Sequence, residues 1–270
     1  MSIQPETAEF DMSPTLAVVD QIVRSFDPVE VNAIVNHPKV RPYLGGPDLE
    51  PLDLTNFVRN PANYALRYEG FLALFHAKMP GLYEVHTQAL PASRGAVVAA
   101  GAPAMATWMF TRTTAIELVT RIPDDNDAAR ELAMFNGFEL EFRRDTGWQT
   151  LEGDFPVDWY RLGIIEWMAR ADGLIERGQW FHREIDAACK RAGVKREDHP
   201  DDEVHDRYVG AAAEMILHGQ VVKGIHFINR YSSIVGNPPV VLLNDSPLVI
   251  HIGDVAVRVD GERFEVVKSQ

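Results

Sequence analysis

The sequence predicts an α/β (α+β) fold, a mixed central sheet flanked by helices, followed by a smaller C-terminal helix-and-hairpin module. Three observations carry this. Apolar and polar residues alternate along 64–76 and 83–90, the period of half-buried strands. The strand at 83–90 passes through Pro91-Ala92-Ser93-Arg94-Gly95 into a helix that reaches Phe110, and a strand over 115–122 is followed by another short helix, so at least one parallel-type crossover is expected. From 240 onward, short apolar runs alternate with turns and end at Asp260-Gly261, a strong hairpin signal.

Residues 1 to about 12 are polar and are expected to be loosely ordered until packed on something. Over 13–36 the spacing of Leu16, Val19, Ile22, Val23 and Phe26 is helical, and Val29, Val31, Ile34 and Val35 continue it after Pro28. The Pro- and Gly-rich passage 37–47 reads as loop, and Asn60-Pro61-Ala62-Asn63 as a turn. Two short strands joined at Glu69-Gly70 are expected within 64–76, then a turn at Met79-Pro80-Gly81. Asn126 opens the short helix that ends at Asn136-Gly137-Phe138, and further strands are placed at 138–144 and 159–165. Beyond 168 the pattern gives a helix through Arg191, a polar linker at 195–203, a second helix to about His218 and a third helical segment over 221–231. Strands then follow near 240–243, 248–252, 255–259 and 263–267. The expected organisation is an N-terminal helical arm (1–27), a sheet domain (28–167) and a C-terminal extension (168–270).

Composition narrows the function classes. Apolar content of 46% and charged content of 24% are ordinary for a globular protein. A net charge of -13 argues against a broad nucleic-acid or anionic-membrane footprint, which needs clustered Lys and Arg. No apolar run is long enough to span a bilayer, and the start lacks the basic-then-apolar pattern of a signal peptide. The single cysteine, Cys189, excludes an intramolecular disulfide, suits a reducing cytoplasm and reads as a core residue of a helix. Trp180, Phe181, Phe227 and Tyr231 read as core or interface aromatics of the extension.

The chemistry concentrates between 83 and 138. A strand that delivers a Gly-bearing turn onto a helix N-terminus is an anion site, because the first N–H groups of the helix have no internal partners. A pyrophosphate carrier such as coenzyme A suits it. Strand alternation puts Glu84, His86 and Gln88 on one face, where Glu84 or His86 can act as a base; the same pattern also describes the polar face of a half-covered strand. Asn126 caps its helix, with or without a cofactor contact. The run from His199 to Asp206 collects metal-type ligands, but Asp201-Asp202-Glu203 is also what a helix N-terminus prefers, and no metal is assigned.

The segment from roughly 28 to 167 resembles the GNAT N-acetyltransferase superfamily, especially its divergent bacteriophage members. The resemblance rests on the strand-to-helix turn with Arg94-Gly95-Ala96 and on Asn126, Ala128-Ala129 and Gly137-Phe138, similar to the family's Asn-x-x-Ala…Gly-Phe helix, and covers about half the chain. It implies acetyl-CoA as acyl donor in a splay between the fourth and fifth strands, held by Gln88, Leu90, Arg94, Gly95, Ala96 and Asn126, with Glu84 and His86 catalytic. It implies acetyl transfer to a small-molecule or protein amine in the cytoplasm, the host's if the chain is phage-encoded. Two departures are evident: Val97 stands where the family's loop has glycine, its Cβ expected to obstruct phosphate approach, and Pro103 falls inside the following helix. Both fit the alternative of a catalytically inactive GNAT-fold structural or virion-associated protein, with the extension contacting virion proteins or a second copy.

Overall fold

In the computed structural model, residues 16–46, 48–171, 173–196 and 202–267 are described; the arm expected before Leu16 lies outside them. The first half is a seven-stranded sheet of order β1-β2-β3-β4-β5-β7-β6, comprising β1 (Val23–Ser25), β2 (Tyr64–Tyr68), β3 (Phe71–Met79), β4 (Leu82–Ala89), β5 (Glu117–Pro123), β6 (Glu139–Thr150) and β7 (Gly153–Gly163). Among the described residues only β4 and β5 pair in parallel. Their crossover is α4 (Ala96–Arg112), and α5 (Asp127–Phe135) links β5 to β6. The predicted fold class is the one observed, a mixed central sheet flanked by helices, plus a C-terminal module.

Several boundaries differ from the sequence reading. The helix expected over 13–36 is instead α1 (Leu16–Val19), the edge strand β1 and α2 (Pro28–Val35). The break has a local cause: Asp27 accepts from the Val29 N–H at 2.8 Å and Pro28 takes the first helical position, so a new helix starts there. The preceding Val23-Arg24-Ser25 pairs with Arg67, Leu66 and Ala65. Ile164 and Ile165, placed in a strand, begin α6 (Ile164–Arg170), which buries Trp167 and Met168. The Trp167 indole donates to Thr107 Oγ1 at 3.0 Å, so the helix is fixed by tertiary packing that no local period reveals.

Helix α4 packs on one face of the sheet, against Phe71, Phe75, Tyr83, Val85 and Leu118. On the other face α2, α3 (Thr55–Arg59) and the connecting loop cover Ala65, Leu72 and Leu74. Pro103 does not end α4, which continues to Arg112. At Gly101 a Cβ would meet the Phe71 ring at 2.9 Å, so glycine lets the helix lie close on the sheet.

The C-terminal module has α7 (Gly173–Ala192), α8 (Glu203–Leu217) and α9 (Val221–Val235). It ends in a four-stranded antiparallel meander of β8 (Val241–Asp245), β9 (Leu248–Ile252), β10 (Val255–Asp260) and β11 (Arg263–Val266), more extensive than one hairpin. Phe181, Phe227, Tyr231 and Cys189 are buried, and Trp180 meets Phe264 edge-on. Ala211, Met215 and Phe227 join the core beneath the large sheet. Lys223 of α9 donates to the carbonyls of Phe110, Thr113 and Ala115 at 2.5, 2.9 and 2.5 Å, tying the module to the end of α4. His199, Pro200 and Asp201 lie outside the described residues, while Asp202 caps α8 by accepting from the Val204 N–H. Among the described residues no helix is long and apolar enough to cross a membrane.

Candidate active site

The parallel pairing of β4 and β5 is short. It joins Leu82 to Glu117, Tyr83 to Leu118 and Glu84 to Val119, although the strands run on to Ala89 and Pro123. A last link is the Thr120 hydroxyl, which donates to the Val85 carbonyl at 2.9 Å. Beyond it the strands diverge because each is held by its outer neighbour: β4 stays paired with β3 as far as Ala89, and β5 with β7 as far as Pro123. Beyond Thr120, no pairing between β4 and β5 occurs among the described residues.

The gap opens a cleft of about 840 Å³, counted with its mouth. Ala102, Met105 and Ala106 of α4 and Asn126 and Ala129 at the start of α5 line one side. Alternation turns His86, Gln88 and Arg121 to the opposite face, where the cleft meets Tyr43, Leu44 and Trp148. The loop carrying Tyr43 is held by buried Arg41, which donates to the carbonyls of Glu50, Gly45 and Asp48. The Gly46 N–H donates to the Gln149 carbonyl at 2.7 Å, joining the loop to the β6–β7 hairpin.

The sequence-derived residues fall into separate groups. His86, Gln88 and Asn126 line the cleft. Gln88 is buried, and its Oε1 has no hydrogen-bond partner among the described residues. Asn126 Oδ1 accepts from the Ala129 N–H at 3.1 Å, so it caps α5 while lining the cleft. Gly95 precedes α4 with φ 80°, the left-handed region that favours glycine, and a Cβ there would meet nothing within 4 Å. Ala99 is the first residue seen bonding back, to the Gly95 carbonyl, which leaves the N–H groups of Ala96, Val97 and Val98 as first-turn donors. Val97, where an obstruction is expected, has its side chain half-buried against the core, and the positive-φ residue of the turn is Gly95. Arg94 is exposed and donates to the Lys39 carbonyl at 2.8 Å. Leu90 packs with the α2–α3 cluster and does not line the cleft.

Glu84 is buried and is not among the residues that line the cleft. Its side chain is 1% exposed, with Lys78 Nζ at 2.5 Å, His86 Nε2 at 3.3 Å and the Arg121 guanidinium also in contact. Burial alone would raise its pKa, but the hydrogen bonds from His86, Lys78 and Arg121 outweigh it and hold the carboxyl well below its usual range. Such a carboxylate takes no proton near neutrality. The His86 imidazole beside it lines the cleft. Sequence reasoning missed Lys78 and Arg121 as partners of Glu84: Lys78 comes from β3, and Arg121 reaches it only because β5 lies in parallel beside β4.

No protein-family model matches the chain, and no curated protein matches it in sequence. Solved structures similar to it include a GNAT-family acetyltransferase from Bacillus anthracis, 17% identical, with TM-score 0.42, covering 53% of this chain and 95% of that one. A ribosomal-protein-alanine N-acetyltransferase from Brucella melitensis is 18% identical, with TM-score 0.44, over 53% of this chain and 99% of that one. A spermidine N-acetyltransferase chimera involving Vibrio cholerae is 13% identical, with TM-score 0.45, over 55% of this chain and 99% of that one.

Proposed function

We propose that the chain transfers an acyl group from acyl-CoA, with acetyl-CoA as the simplest donor, to an amine. The observation that carries this reading is the early end of β4–β5 pairing, which opens a cleft through the sheet with an unpaired helix N-terminus on the same strand-to-helix connection. The donor set suits such a ligand. First-turn N–H groups of α4 and the open space at Gly95 favour a pyrophosphate, and the inner strand edges with Gln88 Oε1 favour an amide-bearing arm.

When bound, acyl-CoA supplies an activated thioester. His86 takes the proton from the acceptor ammonium, directly or through one water, and Glu84 keeps its ring turned to the cleft. Lys78 and Arg121 fix Glu84 in turn, so the carboxylate acts through His86 and not on substrate. Tyr43, Leu44 and Trp148 line the acceptor side.

Calorimetric titration with acetyl-CoA is the test. Micromolar binding is expected, with His86→Ala retaining the affinity and losing about 10²- to 10⁴-fold in acyl transfer. Absence of binding at millimolar acetyl-CoA would sink the enzyme reading and leave a GNAT-like scaffold without turnover.

A further inference from the structure

On the face of the sheet opposite α4, β5 and β7 set Arg121 directly across from Trp159, and β7 and β6 set Trp159 across from Phe142. Phe142 stacks on the Trp159 ring with centroids 5.4 Å apart. Two guanidiniums share that indole, Arg121 at 5.4 Å and Arg144 at 5.4 Å from its centroid. Arg121 also lines the cleft beside His86.

Nearby carboxylates already have basic partners. Glu84 is in contact with Lys78, His86 and Arg121. Glu141, on the same strand as Arg144, goes to Arg161 at 3.0 Å. Asp124 and Asp158 pair with Arg130 and Arg143. Arg121 uses Nε on Glu84, and among the described residues neither its Nη nitrogens nor any nitrogen of Arg144 meets an acceptor. The Trp159 indole N–H is likewise buried without one. In a chain of net charge -13, two guanidiniums stacked on one indole, one of them lining the cleft, are a place where an anion is favoured.

We propose that the acceptor amine carries a second, acidic group, a carboxylate or phosphate, received by Arg121 and Arg144 beside Trp159. This rests on the acyl-transfer reading and assigns its substrate class. The buried Glu84 and the indole face hold Arg121 in place before substrate arrives, which spares the ordering cost of a free arginine. A polycationic acceptor would meet like charge at this mouth.

The test uses the full chain with saturating acetyl-CoA and matched acceptors: phosphoethanolamine against ethanolamine, glycylglutamate against glycylglutamine, and spermidine. The anionic members are expected to lead in kcat/KM by about tenfold or more, a lead that Arg144→Ser abolishes while acetyl-CoA affinity stays unchanged. Equal rates, or a lead for spermidine, overturn the proposal and leave acyl transfer standing. Independently of turnover, the indole N–H resonance of Trp159 should shift with inorganic phosphate in the native chain and not in Arg144→Ser. A shift in a protein that does not bind acetyl-CoA would separate the two readings, with the anion site kept and acyl transfer lost. No shift, or a shift that persists in Arg144→Ser, overturns the anion site.

Discussion

The two halves of the molecule handle the approach of one backbone to another in opposite ways. In the sheet, β4 and β5 part after Glu84 and Val119, and the gap becomes the cleft. In the module, α7 and α8 close on each other through glycine: a Cβ on Gly210 would fall well inside contact with the Leu174 carbonyl, and one on Gly178 with that of Asp206. The gap is stable because each strand has an outer neighbour to hold it, whereas the two helices meet face to face and stay together by close approach. A site therefore needs strands anchored from outside, and a support needs elements anchored from inside.

The strongest test of that contrast is Gly210→Val. The clashing atom is backbone oxygen, which cannot rotate away, so the helices must separate. Overpacking of this kind is expected to cost about 3 kcal/mol. Because Ala211 and Met215 belong to the core under the large sheet, urea denaturation should show one transition moved to lower concentration. A shift under about 1 kcal/mol, or two separate transitions, would break the picture of a module supporting the sheet.

Glu84→Gln probes the other half with a smaller effect, about 2 kcal/mol at neutral pH, because Lys78 and Arg121 are about one-third exposed and can recover hydration. The sign with pH follows from the direction of the shift. Glu84 has its folded pKa depressed below the usual 4.5, so its contribution is complete above that value and is lost as pH falls through the folded one. The stability difference between native chain and variant should stay level from pH 7 to about 5 and shrink below about 4. Urea midpoints across that range measure it, and a gap that widens on acidification would show that Glu84 is not held as an anion.

What the sequence disclosed follows the same divide. Strand alternation, the Asn126 cap, the Gly137 helix end and the Asp260-Gly261 turn are local signals, and each stands close to where the pattern put it. The edge strand β1 and helix α6 were missed because β1 exists by pairing with β2, and α6 by seating Trp167 against Thr107. At the site, Glu84 and His86 are legible as neighbours on one strand face, but the burial of Glu84 among basic partners is not. It depends on Lys78 and Arg121, which only the sheet brings together. Gly178 and Gly210 lie inside α7 and α8, and nothing local in the sequence says which backbone approaches them.

The smallest effect concerns Asn126, which serves both the helix and the cleft. Asn126→Ala removes the acceptor for the Ala129 N–H and should cost about 1 kcal/mol. Asn126→Asp keeps a capping oxygen and should restore most of that stability, but it sets a negative charge on the wall proposed to face acyl-CoA. If Asn126 contributes to the cleft as well as to α5, the aspartate variant will melt like the native chain and bind acetyl-CoA several-fold more weakly. Recovery of stability and affinity together would reduce Asn126 to a cap, and the cofactor contact would then rest on α4 and the strand edges alone.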